Sequence, residues 1–126
     1  MPALEPAAGI RVIAVPDALE RARWVGEQVV VLRMAPDEAL GLGATRVDVG
    51  DPFAIVEPEA GFVAARLSEV DVAAVRRHAD WPIPGEAGTL AQGKIAGVPV
   101  KLLQGDPALL VTNAAYADEL RRRLGW

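Results

Sequence analysis

One histidine, two pairs of acids set beside prolines and no cysteine make up the reactive inventory of this chain. A zinc site needs several ligands, and a Ser–His site needs a base held by an orienting group. His78 has no cysteine to join it. It falls late in a predicted helix, where a cation suits the carbonyl ends, so a structural role is expected. The other role open to it is a pH-responsive contact near neutrality. Asp37-Glu38 and Glu57 with Glu59 could run acid–base chemistry if burial drove their proton affinities apart. Both pairs flank a proline, where turns and helix starts present solvated acids, and Arg33 is placed to pair with Asp37. No catalytic residue, metal ligand or cofactor is expected from this set.

Phosphate and nucleic-acid chemistry are equally short of parts. Gly41-Leu42-Gly43 opens no long helix, and Gly93-Lys94 lacks the hydroxyl residue that completes a phosphate loop. The chain has 13 basic and 17 acidic residues and a net charge of −4, against the basic excess usual in nucleic-acid binders. Its longest arginine run, Arg121-Arg122-Arg123, directly follows Asp118-Glu119-Leu120 and reads as the cationic last turn of a helix. Neither a nucleic acid nor a membrane is expected as partner. No apolar run approaches the roughly 20 residues needed to cross a bilayer, and Met1 to Gly9 lacks the basic and apolar regions of a signal peptide. The expected location is cytoplasmic.

Trp24, Trp81 and Trp126 stand out in a chain with only 5% aromatics. Tryptophan anchors core edges and interfaces, and its N–H seeks a partner. Trp81, between a helix end and two prolines, is a candidate for either role.

These residues must be positioned by a core built of small apolar side chains. The apolar fraction is 52% over 126 residues, enough for one domain without disulfides or metal. Residues 1–9 read as a flexible arm and 10–126 as a single α+β domain. Strands are predicted over 10–15, 28–34, 45–49, 61–67, 98–104 and 108–112. The run Val29-Val30-Val31-Leu32 is the clearest of them. Pro36 to Leu40 reads as a helical turn stopped by Gly41, and Glu57-Pro58-Glu59 as an interruption. Ser68 with Asp71 forms a near capping box for a helix over 69–79. Asn113 caps a last helix over 114–124, which Gly125 stops. Short links favour an α+β fold: an antiparallel or mixed sheet with helices packed on one face. Pro99 suggests that 98–104 is an edge strand or that the proline takes a first-residue position, and an edge there would be open to pairing with another copy.

From about Val31 onward the chain resembles the small gamma subunit of heterotetrameric sarcosine oxidase, which belongs with the folate-dependent aminomethyltransferase fold. The stretches that carry the likeness are Arg33-Met-Ala-Pro-Asp-Glu-Ala-Leu40-Gly-Leu, Gly61-Phe-Val-Ala-Ala-Arg-Leu-Ser68 and Gly93-Lys-Ile-Ala-Gly-Val-Pro-Val-Lys-Leu-Leu103. The strand and Tyr-bearing helix of 110–124 are similar in layout. That subunit has no flavin or folate chemistry of its own. The resemblance therefore implies a non-catalytic accessory domain that binds a large oxidase subunit; Trp81, by its residue type, is the candidate anchor, and the edge strand at 98–104 offers a self-associated dimer as a second arrangement. The alternative is a stand-alone binder of a folate-like small molecule, in which Arg33, Asp37 and Glu57 would fix a polar heterocycle inside a mostly apolar pocket.

Overall fold

The computed structural model describes all 126 residues. Its elements in chain order are β1 (Glu5–Ile13), α1 (Pro16–Glu20), β2 (Arg23–Ala35), β3 (Glu38–Asp48), β4 (Ile55–Leu67), α2 (Glu69–Arg76), β5 (Leu90–Ile95), β6 (Val98–Leu103), β7 (Ala108–Asn113), a 3-10 turn (Ala114–Tyr116) and α3 (Ala117–Leu124). The strands form one antiparallel seven-stranded sheet in the order β2-β3-β1-β4-β7-β6-β5.

This corrects the α+β expectation. Strand makes up 51% of the chain and helix 19%, so the protein is a small β-rich domain, not a sheet with helices packed on one face. The reason lies in stretches that local chemistry assigns ambiguously. Pro36-Asp37 is the tight turn of the β2–β3 hairpin and not the start of a helix, and Glu57-Pro58-Glu59 lies inside β4 and does not interrupt it. Residues 5–9 of the expected arm are the first half of β1. Leu4, next to them, is buried in a core cluster, and Arg121 Nη2 donates to its carbonyl at 2.8 Å.

Contacts group the chain into two compact units, Ala7–Ala60 and Met1–Pro6 with Gly61–Trp126. Within the 7–60 unit, β1 pairs with β3 and β3 with β2, both antiparallel, with Val12 opposite Ala39 and Leu32 opposite Leu40. Val12, Ala14, Ala18, Leu19 and Ala39 form its buried cluster. In the other unit β4 pairs with β7, β7 with β6, and β6 with β5. The two units share one internal plan: strand, helix, then two strands of which the last lies beside the first. β5 and the C-terminal 3-10 turn and α3 are additions to the second.

The second unit's core gathers Val63, Ala65, Leu67, Val100, Leu102 and Leu110 from strands, Val75 from α2 and Leu120 from α3. Small branched side chains do fill the interior, as the aromatic shortage requires. The Ser68–Asp71 capping box forms in full: Ser68 Oγ accepts from the Asp71 amide, and the Asp71 carboxylate accepts from the Ser68 amide at 3.0 Å. Asn113 Oδ1 accepts from the Ala115 amide at 2.9 Å, and Gly125 ends α3 at φ 75°.

The expected edge at 98–104 is also corrected, because β6 has β5 on one side and β7 on the other. Ala96 and Gly97 have φ of 51° and 78°, a two-residue type I′ turn, and Ile95 and Val98 close it. The next pair, Lys94 with Pro99, is then not hydrogen-bonded, so the Pro99 nitrogen faces away from β5. Pairing with β7 begins only at Lys101, and the Thr112 hydroxyl donates to the Pro99 carbonyl at 2.8 Å. A proline thereby fits an interior strand without an orphaned partner.

Candidate functional site: an apolar groove in the 7–60 unit

Arg33, at the end of the valine run, is committed to the fold. Its Nε donates to the Ala35 carbonyl at 3.2 Å, Nη1 to Glu20 Oε1 at 2.9 Å, and Nη2 to the carbonyls of Pro16 at 3.4 Å and Pro36 at 2.7 Å. The guanidinium therefore staples the β2–β3 turn to α1. Asp37, exposed on that turn, accepts the Ala14 amide with its backbone carbonyl at 3.0 Å. Glu57 is exposed on β4. Arg11 lies in the field of Glu57 and Glu59 but bonds Glu38, whose hydrogen bond and charge raise the Arg11 pKa above the ordinary arginine value. Arg33, Asp37 and Glu57 thus serve different structures and do not converge on one ligand. No three acid or histidine side chains come together as a set able to hold a metal ion.

Trp81 is likewise engaged. Its indole N–H donates to the Lys94 carbonyl at 2.9 Å, and its ring lies so close to Gly93 that a Cβ there would meet Cζ2 at 2.6 Å. Trp24 lies in the same way over Gly41 in the 7–60 unit, where a Cβ would meet Cε3 at 2.3 Å. Each tryptophan is a lid on a strand glycine. His78 is exposed, and its carbonyl accepts the Ala96 amide at 2.8 Å.

What Arg33 and Asp37 help to build is a groove of about 430 Å³ bounded by Ile13, Val15, Pro16, Asp37, Asp51, Phe53 and Ile55. Three of its apolar side chains face water: Phe53 is 89% exposed, Val15 56% and Ile55 50%. Asp51 fixes them in place. Its Oδ1 accepts the Phe53 amide at 2.9 Å, its Oδ2 the Val15 amide at 3.1 Å, and its carbonyl the Ala54 amide at 3.1 Å. One carboxylate thus joins the β1–α1 junction to the turn that carries Phe53. Ordering these amides lowers the entropy that a partner would otherwise have to remove on binding.

Sequence reasoning finds Asp37 and Arg33 but does not single out Asp51, Val15 or Phe53. The run Gly50-Asp51-Pro52-Phe53 carries the one available sign: an Asx-turn residue followed at once by a large aromatic. Elsewhere, a cleft of about 580 Å³ in the other unit runs between α2 and residues 85–87 and 104–106, with Arg76, Glu69 and Asp106 at its rim and buried Gln104 in its wall. Gln104 Nε2 is held by the Pro84 carbonyl at 2.8 Å, and Arg76 Nη1 by the Ile83 carbonyl at 2.8 Å.

The chain has no match among models of known protein families and none among curated proteins. No helix is long and apolar enough to cross a membrane.

Proposed function

We propose that the chain is a non-catalytic partner-binding domain that presents the Val15–Phe53–Ile55 groove to another protein. The observation that carries this reading is Phe53, nine-tenths exposed beside two half-exposed aliphatic side chains and held there by Asp51. An aromatic left in water on an ordered turn is the kind of residue that anchors interfaces, and contiguous exposed apolar surface marks interaction sites. Asp37 at the groove wall favours a partner with an apolar knob beside a lysine or arginine. The three stretches that resemble the sarcosine oxidase gamma subunit suggest a large oxidase subunit as that partner. The commitment of Arg33 to the hairpin speaks against the folate-binding alternative, because the residues it needed do not face one cavity.

The test is isolation of the tagged chain from its native cell, once as wild type and once as Phe53→Asp. The proposal expects a large oxidase subunit in stoichiometric amount with the wild type and its loss with the variant. Equal recovery from both, or no oxidase subunit with either, contradicts it.

A further inference from the structure

We infer that the chain pairs with a second copy of itself through β2, antiparallel and centred on Val30. Hydrogen-bonding parity shows which β2 groups are free. The Ala14 amide donates to the Asp37 carbonyl, which continues the β1–β3 register by one pair and makes it a hydrogen-bonded one. Such pairs alternate along an antiparallel ladder, so Ala39 and Gly41 bond to β1 while Leu40 and Leu42 turn their amides and carbonyls to β2. Their partners are Leu32 and Val30. Val29 and Val31, between and beside these, must direct their backbone groups away from β3. β2 ends the strand order, so no strand of this chain takes them up.

The opposite edge is treated differently. On β5 the outward carbonyl of Lys94 is taken by the Trp81 indole, a common kind of protection for an edge. No side chain is bonded to the Val29 or Val31 backbone groups of β2 in this way, and β2 is the strand with the most continuous β-branched sequence. Val31 is 40% exposed.

The sequence around Val30 is self-complementary. An antiparallel pair centred there sets Val29 against Val31 of the second copy, twice, and Val30 against its own equivalent. Arg33, opposite Glu27 in this register, is already held by Glu20 and by the Pro16 and Pro36 carbonyls, so the pairing is carried by the valines and the free backbone groups of β2. The 26–29 irregularity, with Gln28 at φ 51°, limits the paired stretch, so the dimer is a weak one in the micromolar range.

The absence of cysteine allows a direct test. The dyad brings the two Val30 Cα atoms to about 4.5 Å in a non-hydrogen-bonded pair, a separation that a disulfide spans. Val30→Cys is expected to form a covalent dimer on mild oxidation much faster than Val70→Cys, a control at an exposed helix position. Sedimentation over the micromolar range is expected to show a reversible dimer that Val31→Pro weakens by about tenfold or more. The Val31 amide is not bonded to β3, so the proline leaves the internal ladder intact, which circular dichroism checks. Val31→Lys, a change at a half-exposed side chain, gives the same reading should the proline disturb the strand. A chain that stays monomeric throughout, or crosslinks no faster through residue 30 than through residue 70, overturns the inference.

Discussion

Gly93→Ala should dislodge Trp81. The added Cβ would lie 2.6 Å from Cζ2, 2.7 Å from Cε2 and 3.0 Å from Nε1 of the indole. Carbon atoms sit comfortably at about 3.5–4.0 Å, so the ring must retreat by about 1 Å. The indole N–H, now 2.9 Å from the Lys94 carbonyl, would then pass the limit of a useful hydrogen bond. Overpacking of this kind costs about 1–3 kcal/mol, and the lost hydrogen bond adds about 1 kcal/mol. The sum is a loss of about 2–4 kcal/mol in denaturant unfolding followed by circular dichroism. Trp81→Phe keeps an aromatic ring but loses the rest of the indole together with its hydrogen bond, and should lose about 2 kcal/mol. The decisive comparison is a double-mutant cycle: in a Trp81→Ala background, Gly93→Ala should be close to neutral, since alanine suits a strand better than glycine. If Gly93→Ala costs the same in both backgrounds, the indole is not the constraint and Trp81 is not a lid on β5.

Three further outcomes follow from other elements. Asp71 is held below the ordinary aspartate pKa by hydrogen bonds from the Ser68 amide and hydroxyl, so the unfolded chain binds the extra proton first. Its contribution is therefore present above the ordinary carboxylate range and is lost as pH falls through the depressed value. Asp71→Asn should destabilise at neutral pH and match the wild type in strong acid, as unfolding titrations at both pH values will show. Ala96→Asn should stabilise by about 0.5–1 kcal/mol, because Ala96 sits at φ 51° in a type I′ turn where asparagine before glycine is preferred, and thermal melts measure it. Arg33→Met should cost about 2–3 kcal/mol by chemical denaturation through its bonds to Glu20, Pro16 and Pro36, and calorimetry with tetrahydrofolate should record no heat for either form.

Much of the local structure is legible in the residues. Val29 to Leu32 reads as strand because β-branched side chains suit a pleated sheet, and it is strand. Ser68 with Asp71, Asn113 and Gly125 mark helix ends by their own hydrogen bonds or backbone freedom, and all three do so here. What local chemistry cannot decide is the use of residues that suit two conformations. Pro36-Asp37-Glu38 fits a helix start as well as a tight turn, and only the pairing of Arg33 with Ala39 selects the turn. Gly41 resembles a helix stop, but it lies in β3 because Trp24, far away in sequence, needs a strand position without a Cβ. Pro99 suggests an edge until the offset start of the β7 ladder is known. The groove was legible only in its wall residue Asp37 and in Arg33, which ties the flanking turn to α1. Its apolar anchors depend on the Asp51 carboxylate reaching two amides, one of them 36 positions away, which no spacing rule reveals.

Binding through Phe53 is tested most directly by a photo-crosslinking amino acid placed at that position in the native cell, beside a control at Val70, which is 78% exposed on α2. The groove reading predicts one discrete adduct at position 53, identified by mass spectrometry as a large oxidase subunit, and none at position 70. No adduct at 53, or the same adducts at both positions, would contradict it.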